Sequence, residues 1–254
     1  MHEIKQILLN EEKPSAYFEA LRGQNALPPA LAPLAALTGV PQNPAYHAEG
    51  DVWNHTMLVL DEAAKLRHRV QNPYWFMLAA LTHDFGKAIC TEEKNGVFHA
   101  YEHETKGLPL VEAFLHRMTG ENKLSQYVKN LVELHMKPNM LAKAGSDVKA
   151  TTRMFDRAMD PEALVCLALA DDLGRISDSP TGDCDAFLRQ RLEAFRELMA
   201  KPFVMGRDLI EAGLRPNENF TPILAYAHKL RLAGVDKELA LKQTLGYARS
   251  LEKK

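Results

Sequence analysis

Residues 75–81, WFMLAAL, are apolar without interruption, and the chain follows them with Thr82, His83 and Asp84. A run of this kind is buried, and ionisable groups at its end are costly to bury unless they are paired or hold a cation. Any fold for this chain must therefore cap the run near water or bring partners to His83 and Asp84. The dipeptide leaves both routes open, so the rest of the sequence has to supply the partners.

Helical periodicity dominates elsewhere. HTMLVLDEAAKLRHRV (55–70) spaces its apolar residues at three to four positions with charges opposite. Further helices are expected in YWFMLAALTHD (74–84), KGLPLVEAFLHRM (106–118), SQYVKNLVELHM (125–136), PEALVCLALADDLGR (161–175) and CDAFLRQRLEAFRELM (184–199). Gly86 offers a stop after the first of these. No segment alternates with β-branched enrichment, so an all-α fold with minimal sheet is predicted. The proline-rich stretch 23–54 reads as a short helix and an irregular approach segment, and 137–150 reads as a loop. A boundary is expected near Lys201, giving residues 1–200 with an N-terminal helical lead-in and a small helical extension over 201–254.

Composition excludes more than it selects. A net charge of −2 over 254 residues gives no bulk attraction to nucleic acid or anionic membrane. Three cysteines without a CxxC suggest neither a disulfide framework nor a thiolate zinc site. No apolar run approaches the ~20 residues of a membrane span, and MHEIKQILLNEEKPS has no signal-peptide core. The expectation is a soluble cytoplasmic protein without membrane partners.

The apolar helices carry histidines and acids at informative places. His55 opens the first long helix, His83 and Asp84 close the second, His103 lies in HAYEHETKG, His135 ends LVELHM, and Asp171 sits in LALADDLGR. A metal centre would satisfy all six. Imidazole and carboxylate ligands without thiolates suit Mn, Ni, Fe, Co, Zn or Mg. One ion would take His55, His83, Asp84 and Asp171. A second would share Asp84 with His103 and His135. Asp172 points away from its neighbour on a helix, and His99 is read as a loop residue.

The order His55, His83-Asp84, Asp171, with HDFGK (83–87), resembles the HD-domain metal-dependent phosphohydrolases. A closer likeness, over roughly residues 30–235, is to the C-terminal HD and tail region of bacterial CCA-adding tRNA nucleotidyltransferases. GVPQNPAYHAEGDVWNHT (39–56), EHETKGLPLVEAF (102–114), ADDLGR (170–175) and PFVMGRDLIEAGLRPNENFTPIL (202–224) carry it. Nothing in the first 40 residues resembles that family's nucleotidyltransferase domain, so nucleotide addition is not expected. The resemblance implies an HD helical bundle, one or two divalent ions and hydrolysis of nucleotide or RNA-terminal phosphate esters. The implied activities are of 2′,3′-cyclic phosphodiesterase, 2′-nucleotidase or phosphatase type.

Such a reaction would use metal-activated hydroxide, with positioning and electrostatics supplying most of the acceleration. Asp84 and His103 are the catalytic candidates, together with Lys87, which is placed to meet a phosphate oxygen. Arg175 is the candidate for a bidentate phosphate contact. His47 and Glu49, in the approach segment, would contact substrate or orient ligands. The tail residues Arg207, Arg215, Lys229 and Arg231 read as a solvated surface or as a tRNA contact. Two alternatives stay open: a phosphodiesterase for a 3′,5′-cyclic signalling nucleotide, and an RNA-binding module with a vestigial HD site.

Overall fold

The computed structural model describes residues 2–177 and 184–251. The architecture is all-α. In chain order the helices are α1 (His2–Asn10), α2 (Ser15–Gly23), α3 (Ala32–Ala35), α4 (Val52–Leu66), α5 (Pro73–Thr82), α6 (Lys87–Cys90), α7 (His103–Lys106) and α8 (Leu108–Met118). There follow α9 (Asn122–Leu134), α10 (Met136–Lys143), α11 (Val148–Arg157), α12 (Pro161–Leu173), α13 (Cys184–Ala200), α14 (Gly206–Glu211), α15 (Phe220–Leu232) and α16 (Lys237–Leu251). One antiparallel hairpin, β1 (Glu92–Lys94) and β2 (Val97–His99), turns through Asn95 and Gly96, both at positive φ. Asn-Gly is the dipeptide that such tight hairpin turns favour. His99 therefore ends a strand rather than lying in a loop, and its ring stacks on Tyr101.

Local chemistry explains where the helices begin. Asp51 caps α4 by accepting from Asn54 N at 2.9 Å, and its other oxygen accepts from Gly39 N. Asp160 caps α12 through Ala163 N, with Pro161 in the first turn where its missing N–H is harmless. The expected loop at 137–150 is mostly helix: α10 covers Met136–Lys143 and α11 begins at Val148. Pro138 occupies the first turn of α10, where proline is tolerated.

The described chain divides into two compact units, Met1–Gly145 with Asp156–Arg189, and Ser146–Phe155 with Gln190–Lys254. The expected boundary near Lys201 thus falls inside the second unit. Helix α13 runs on to Ala200 without a break, and Phe195 on its second half meets Phe155 of α11 at 5.7 Å between ring centroids.

In the first unit α5 is the central element, packed against α1, α4, α9 and α12. Residues Phe76 to Thr82 are all buried, as a helix apolar on every side requires. Each of its large apolar side chains contributes about 1.5–3 kcal/mol by leaving water. This packing delivers His83 and Asp84, at the end of α5, into the interior. The second unit has its own apolar core of Val204, Leu209, Ile223, Ala227, Ala240 and Ala248.

Candidate metal centre

Close approaches between backbones assemble the centre. A Cβ on Gly86 would sit 2.0 Å from the His103 carbonyl oxygen, and one on Gly107 would sit 2.7 Å from Gly86 Cα. Glycine is needed there for contact between backbones. Gly86 has φ −64°, so it is not the left-handed helix stop expected from the sequence. A Cβ on Gly174 would meet Val59 N at 2.6 Å, so the end of α12 lies directly on α4. The first pair seats His103 beside Asp84, and the second seats Asp171 beside His55.

All six expected ligands converge. His55 and His83 are fully buried, and Asp84, His103, His135 and Asp171 expose 5% or less. His83 Nε2 lies 3.2 Å and His55 Nε2 3.6 Å from Asp84 Oδ2, while His103 Nε2 lies 3.1 Å and His135 Nε2 3.8 Å from Asp84 Oδ1. His55 Nε2 is also 3.1 Å from Asp171 Oδ1. Asp84 is thus the shared element of two triads that could each hold an ion, His55–His83–Asp84 and Asp84–His103–His135, and a third such group is His47–Glu49–His55.

The other ring nitrogens fix the tautomers. Nδ1 of His83, His103 and His135 each donates to the carbonyl three residues earlier, of Ala80, Ala100 and Val132, at 2.6–2.8 Å. His55 Nδ1 donates to Glu49 Oε1 at 3.0 Å. A neutral imidazole with Nδ1–H so engaged presents Nε2 as a lone pair. Lone pairs from four histidines then face two carboxylates, and acceptors cannot satisfy one another. His83 Nε2 and both Asp84 oxygens are buried without a hydrogen-bond partner, and His103 Nε2 faces His135 Nε2 at 3.3 Å. The donor set fits a divalent cation, which would satisfy these atoms at once.

Electrostatics point the same way. Burial works against the Asp84 carboxylate, yet His83, Lys87 and His103 hold it ionised well below the usual carboxylate range. Asp171 behaves likewise, with His55 and Arg175 overcoming burial. Burial also opposes protonation of His55 and His103, but the neighbouring carboxylates, Asp171 and Glu49 for the first and Asp84 for the second, raise both. The acids draw positive charge into the cluster. His135 is pushed down to about 3 by burial and by the neighbouring His103 and His83, which keeps it a neutral ligand.

The supporting residues divide. Both Glu49 oxygens are engaged by donors of the chain itself. Oε1 accepts from His47 Nδ1 at 2.7 Å and from His55 Nδ1, and Oε2 accepts from Ile176 N at 2.9 Å. These bonds outweigh burial and hold Glu49 far below its ordinary pKa, so its role is to orient His55. Arg175 Nη2 donates to both Asp171 oxygens at 3.2–3.3 Å, which ties the guanidinium to that carboxylate. Lys87 Nζ lies 2.8 Å from Asp84 Oδ2 and donates to Gln42 Oε1 at 2.8 Å. Lys87, His47, His103 and Gln42 line a pocket of about 260 Å³ beside the cluster, with Tyr46 and Phe98 among its walls. Gln42 has no sequence signal, since an amide in a proline-rich segment announces nothing. The carbonyls of Ala80, Ala100 and Val132 are likewise invisible without the fold.

Comparison with known proteins agrees with this geometry. The HD domain model matches residues 52–176, which include all six expected ligands. A multifunctional CCA protein of Halorhodospira halophila is 33% identical over 222 residues, 83% of this chain and 49% of its own length. Those of Alkalilimnicola ehrlichii and Haemophilus influenzae are 30% and 36% identical over 84% and 50% of this chain, and 52% and 29% of their own lengths. The chain spans about half the length of the first two of these relatives, and the similarity lies in their HD region. No described helix is long and apolar enough to cross a membrane. The chain belongs to the HD-domain family.

Proposed function

We propose that this chain hydrolyses phosphate esters of nucleotides or RNA ends, as a 2′,3′-cyclic phosphodiesterase, 2′-nucleotidase or phosphatase. The observation that carries the reading is the convergence of four imidazole Nε2 atoms and two carboxylates in the interior, every Nδ1 being anchored. A divalent ion held by His55, His83, Asp84 and Asp171, with a second on Asp84, His103 and His135, supplies Lewis acidity that acidifies water and neutralises phosphate oxygens. Mn, Ni, Fe, Co and Mg all suit these ligands.

The chain's own residues do the positioning. Lys87 donates to Gln42 Oε1 and pairs ionically with Asp84, and its ammonium lines the pocket, where it would attract an anionic oxygen. His47, on the same wall, is held at Nδ1 by Glu49, and burial lowers its pKa, so it meets substrate as a neutral ring. Arg175 keeps Asp171 ionised and in place, and Glu49 does the same for the orientation of His55. Positioning and electrostatics are the main catalytic resources in phosphoryl transfer.

The test is elemental analysis of the purified protein with hydrolysis of 2′,3′-cyclic AMP, 3′,5′-cyclic AMP and p-nitrophenyl phosphate across added Mn, Ni, Mg, Co and Fe. The expected result is bound metal and metal-stimulated turnover, strongest on the 2′,3′-cyclic ester and lost in Asp84→Ala. Preference for 3′,5′-cyclic AMP would replace the substrate with a signalling nucleotide. Absence of both metal and turnover would move an RNA-binding role to first place. That second reading draws on the similarity to the multifunctional CCA proteins, which extends over 83–84% of the chain and so beyond residues 52–176.

A further inference from the structure

Gln42 is 9% exposed and lines the pocket together with Lys87, His47 and His103. Its Oε1 accepts from Lys87 Nζ at 2.8 Å. An ammonium group only donates, so the amide atom facing it must be the oxygen, and this settles which way the carboxamide is turned. Its Nε2, carrying two donors, is then left buried with no partner. An unpaired amide at such depth is costly, and a native fold retains one where a ligand completes it. The charge beside it is cationic: Lys87 Nζ sits between this amide and Asp84. A group that approaches both the ammonium and the amide must therefore be rich in acceptor oxygens and negatively charged.

We propose that Gln42 is a substrate-binding residue whose Nε2 donates to a non-bridging oxygen of the phosphate ester, while its Oε1 holds Lys87 against Asp84. The inference rests on the phosphohydrolase reading and adds a named donor to it. Gln42 and Lys87 then form one unit, in which a single carboxamide both anchors the cation and extends its reach toward phosphate.

Inorganic phosphate is titrated calorimetrically into the metal-loaded wild type, Gln42→Met, Lys87→Met and the double variant, with metal content measured on each. Methionine keeps the length of the side chain and removes both donor and acceptor. The expected result is about tenfold weaker phosphate binding on Gln42→Met in the wild-type background and again in the Lys87→Met background, with metal content unchanged. In steady state the same variant raises KM with little change in kcat. No effect of Gln42→Met in the Lys87→Met background would overturn the inference, because Gln42 would then act only by holding Lys87. Gln42→Glu gives an independent check, since it keeps the acceptor for Lys87 and removes the donors. It is expected to bind phosphate more weakly than Gln42→Met, and wild-type affinity would overturn the inference. Failure of the metal-loaded wild type to bind phosphate or turn over any phosphate ester would remove the phosphohydrolase reading itself, and this inference with it.

Discussion

Among the described residues, six histidine and aspartate side chains lie buried in the first unit: His55, His83, Asp84, His103, His135 and Asp171. The buried polar side chains of the second unit are threonines: Thr151, Thr152 and Thr244. A threonine hydroxyl can find an acceptor in its own helix, as Thr151 does with the carbonyls of Asp147 and Val148, and the uncharged Thr244 hydroxyl is buried without one. Lone pairs of histidine and carboxylate oxygens have no such local remedy. The first interior would therefore be completed by a cation from outside, whereas the core of the second is an apolar cluster that offers an ion no ligands. The difference teaches that one chain can hold two kinds of stability, one linked to a ligand and one not.

The sharpest way to break this contrast is Asp84→Ala. Because both triads share this carboxylate, its removal is expected to abolish metal retention and to lower turnover roughly a thousandfold or more. Elemental analysis and turnover of 2′,3′-cyclic AMP check it. His135→Ala removes a ligand from one triad alone, so it should cost a single equivalent of metal and leave the other bound. Equal metal loss in the two variants would show that the six ligands hold one ion. In the second unit, Leu209→Ala truncates a fully buried core side chain and should destabilise by about 2–5 kcal/mol in denaturant titration, with metal content unchanged. Loss of metal in that variant would mean the two interiors are not independent.

The legible part of the fold was what physics imposes on short stretches. Continuous apolarity in WFMLAAL located the central helix, and acids inside apolar helices located the ligands, because both features are costly in any other arrangement. Contacts across long separations were not legible. Nothing near Gly86 tells that its missing side chain makes room for the His103 carbonyl, and the local reading made it a helix stop. Pro138 and Gly145 punctuate 137–150 like a loop, yet the proline fits the first turn of α10. The division of the chain was misplaced for a related reason: α13 continues past Arg189 with no change in composition to mark it. Arg175 was half legible, since it lies four residues beyond Asp171 on neighbouring turns, a spacing that favours the ion pair observed.

Glu49 offers a smaller effect inside the first unit. Both its oxygens are engaged by donors of the chain itself, so Glu49→Gln should act through His55. The amide oxygen still accepts one bond, but the charge that favours Nδ1–H is gone, along with part of the network to His47 and Ile176. Loss of such an outer partner typically weakens metal affinity or activity 10–100-fold. The signature to look for, in metal titrations of the stripped protein, is reduced affinity with unchanged stoichiometry. A change confined to KM, with metal affinity intact, would return Glu49 to the substrate contact expected from the sequence.

The smallest effect concerns the basic residues of the tail, which had read as either a solvated surface or a contact for tRNA. Arg231 is now placed: its guanidinium donates to the carbonyls of Leu198, Met199 and Lys201 and lies over the Phe203 ring at 5.6 Å. These carbonyls are at the end of α13, where a cation offsets the negative end of the helix. Arg231 thus belongs to the fold of the second unit. Arg231→Met keeps much of the apolar stem and removes the donors, so it should cost about 1–2 kcal/mol of stability. Metal content and turnover should not move, because the first unit's interior is untouched. Measured by denaturant titration beside tRNA binding, unchanged stability with weakened binding would reverse the assignment and make Arg231 an RNA-facing residue. Lower stability with unchanged binding would leave Arg207, Arg215 and Lys229 as the tail cations that any RNA contact must use.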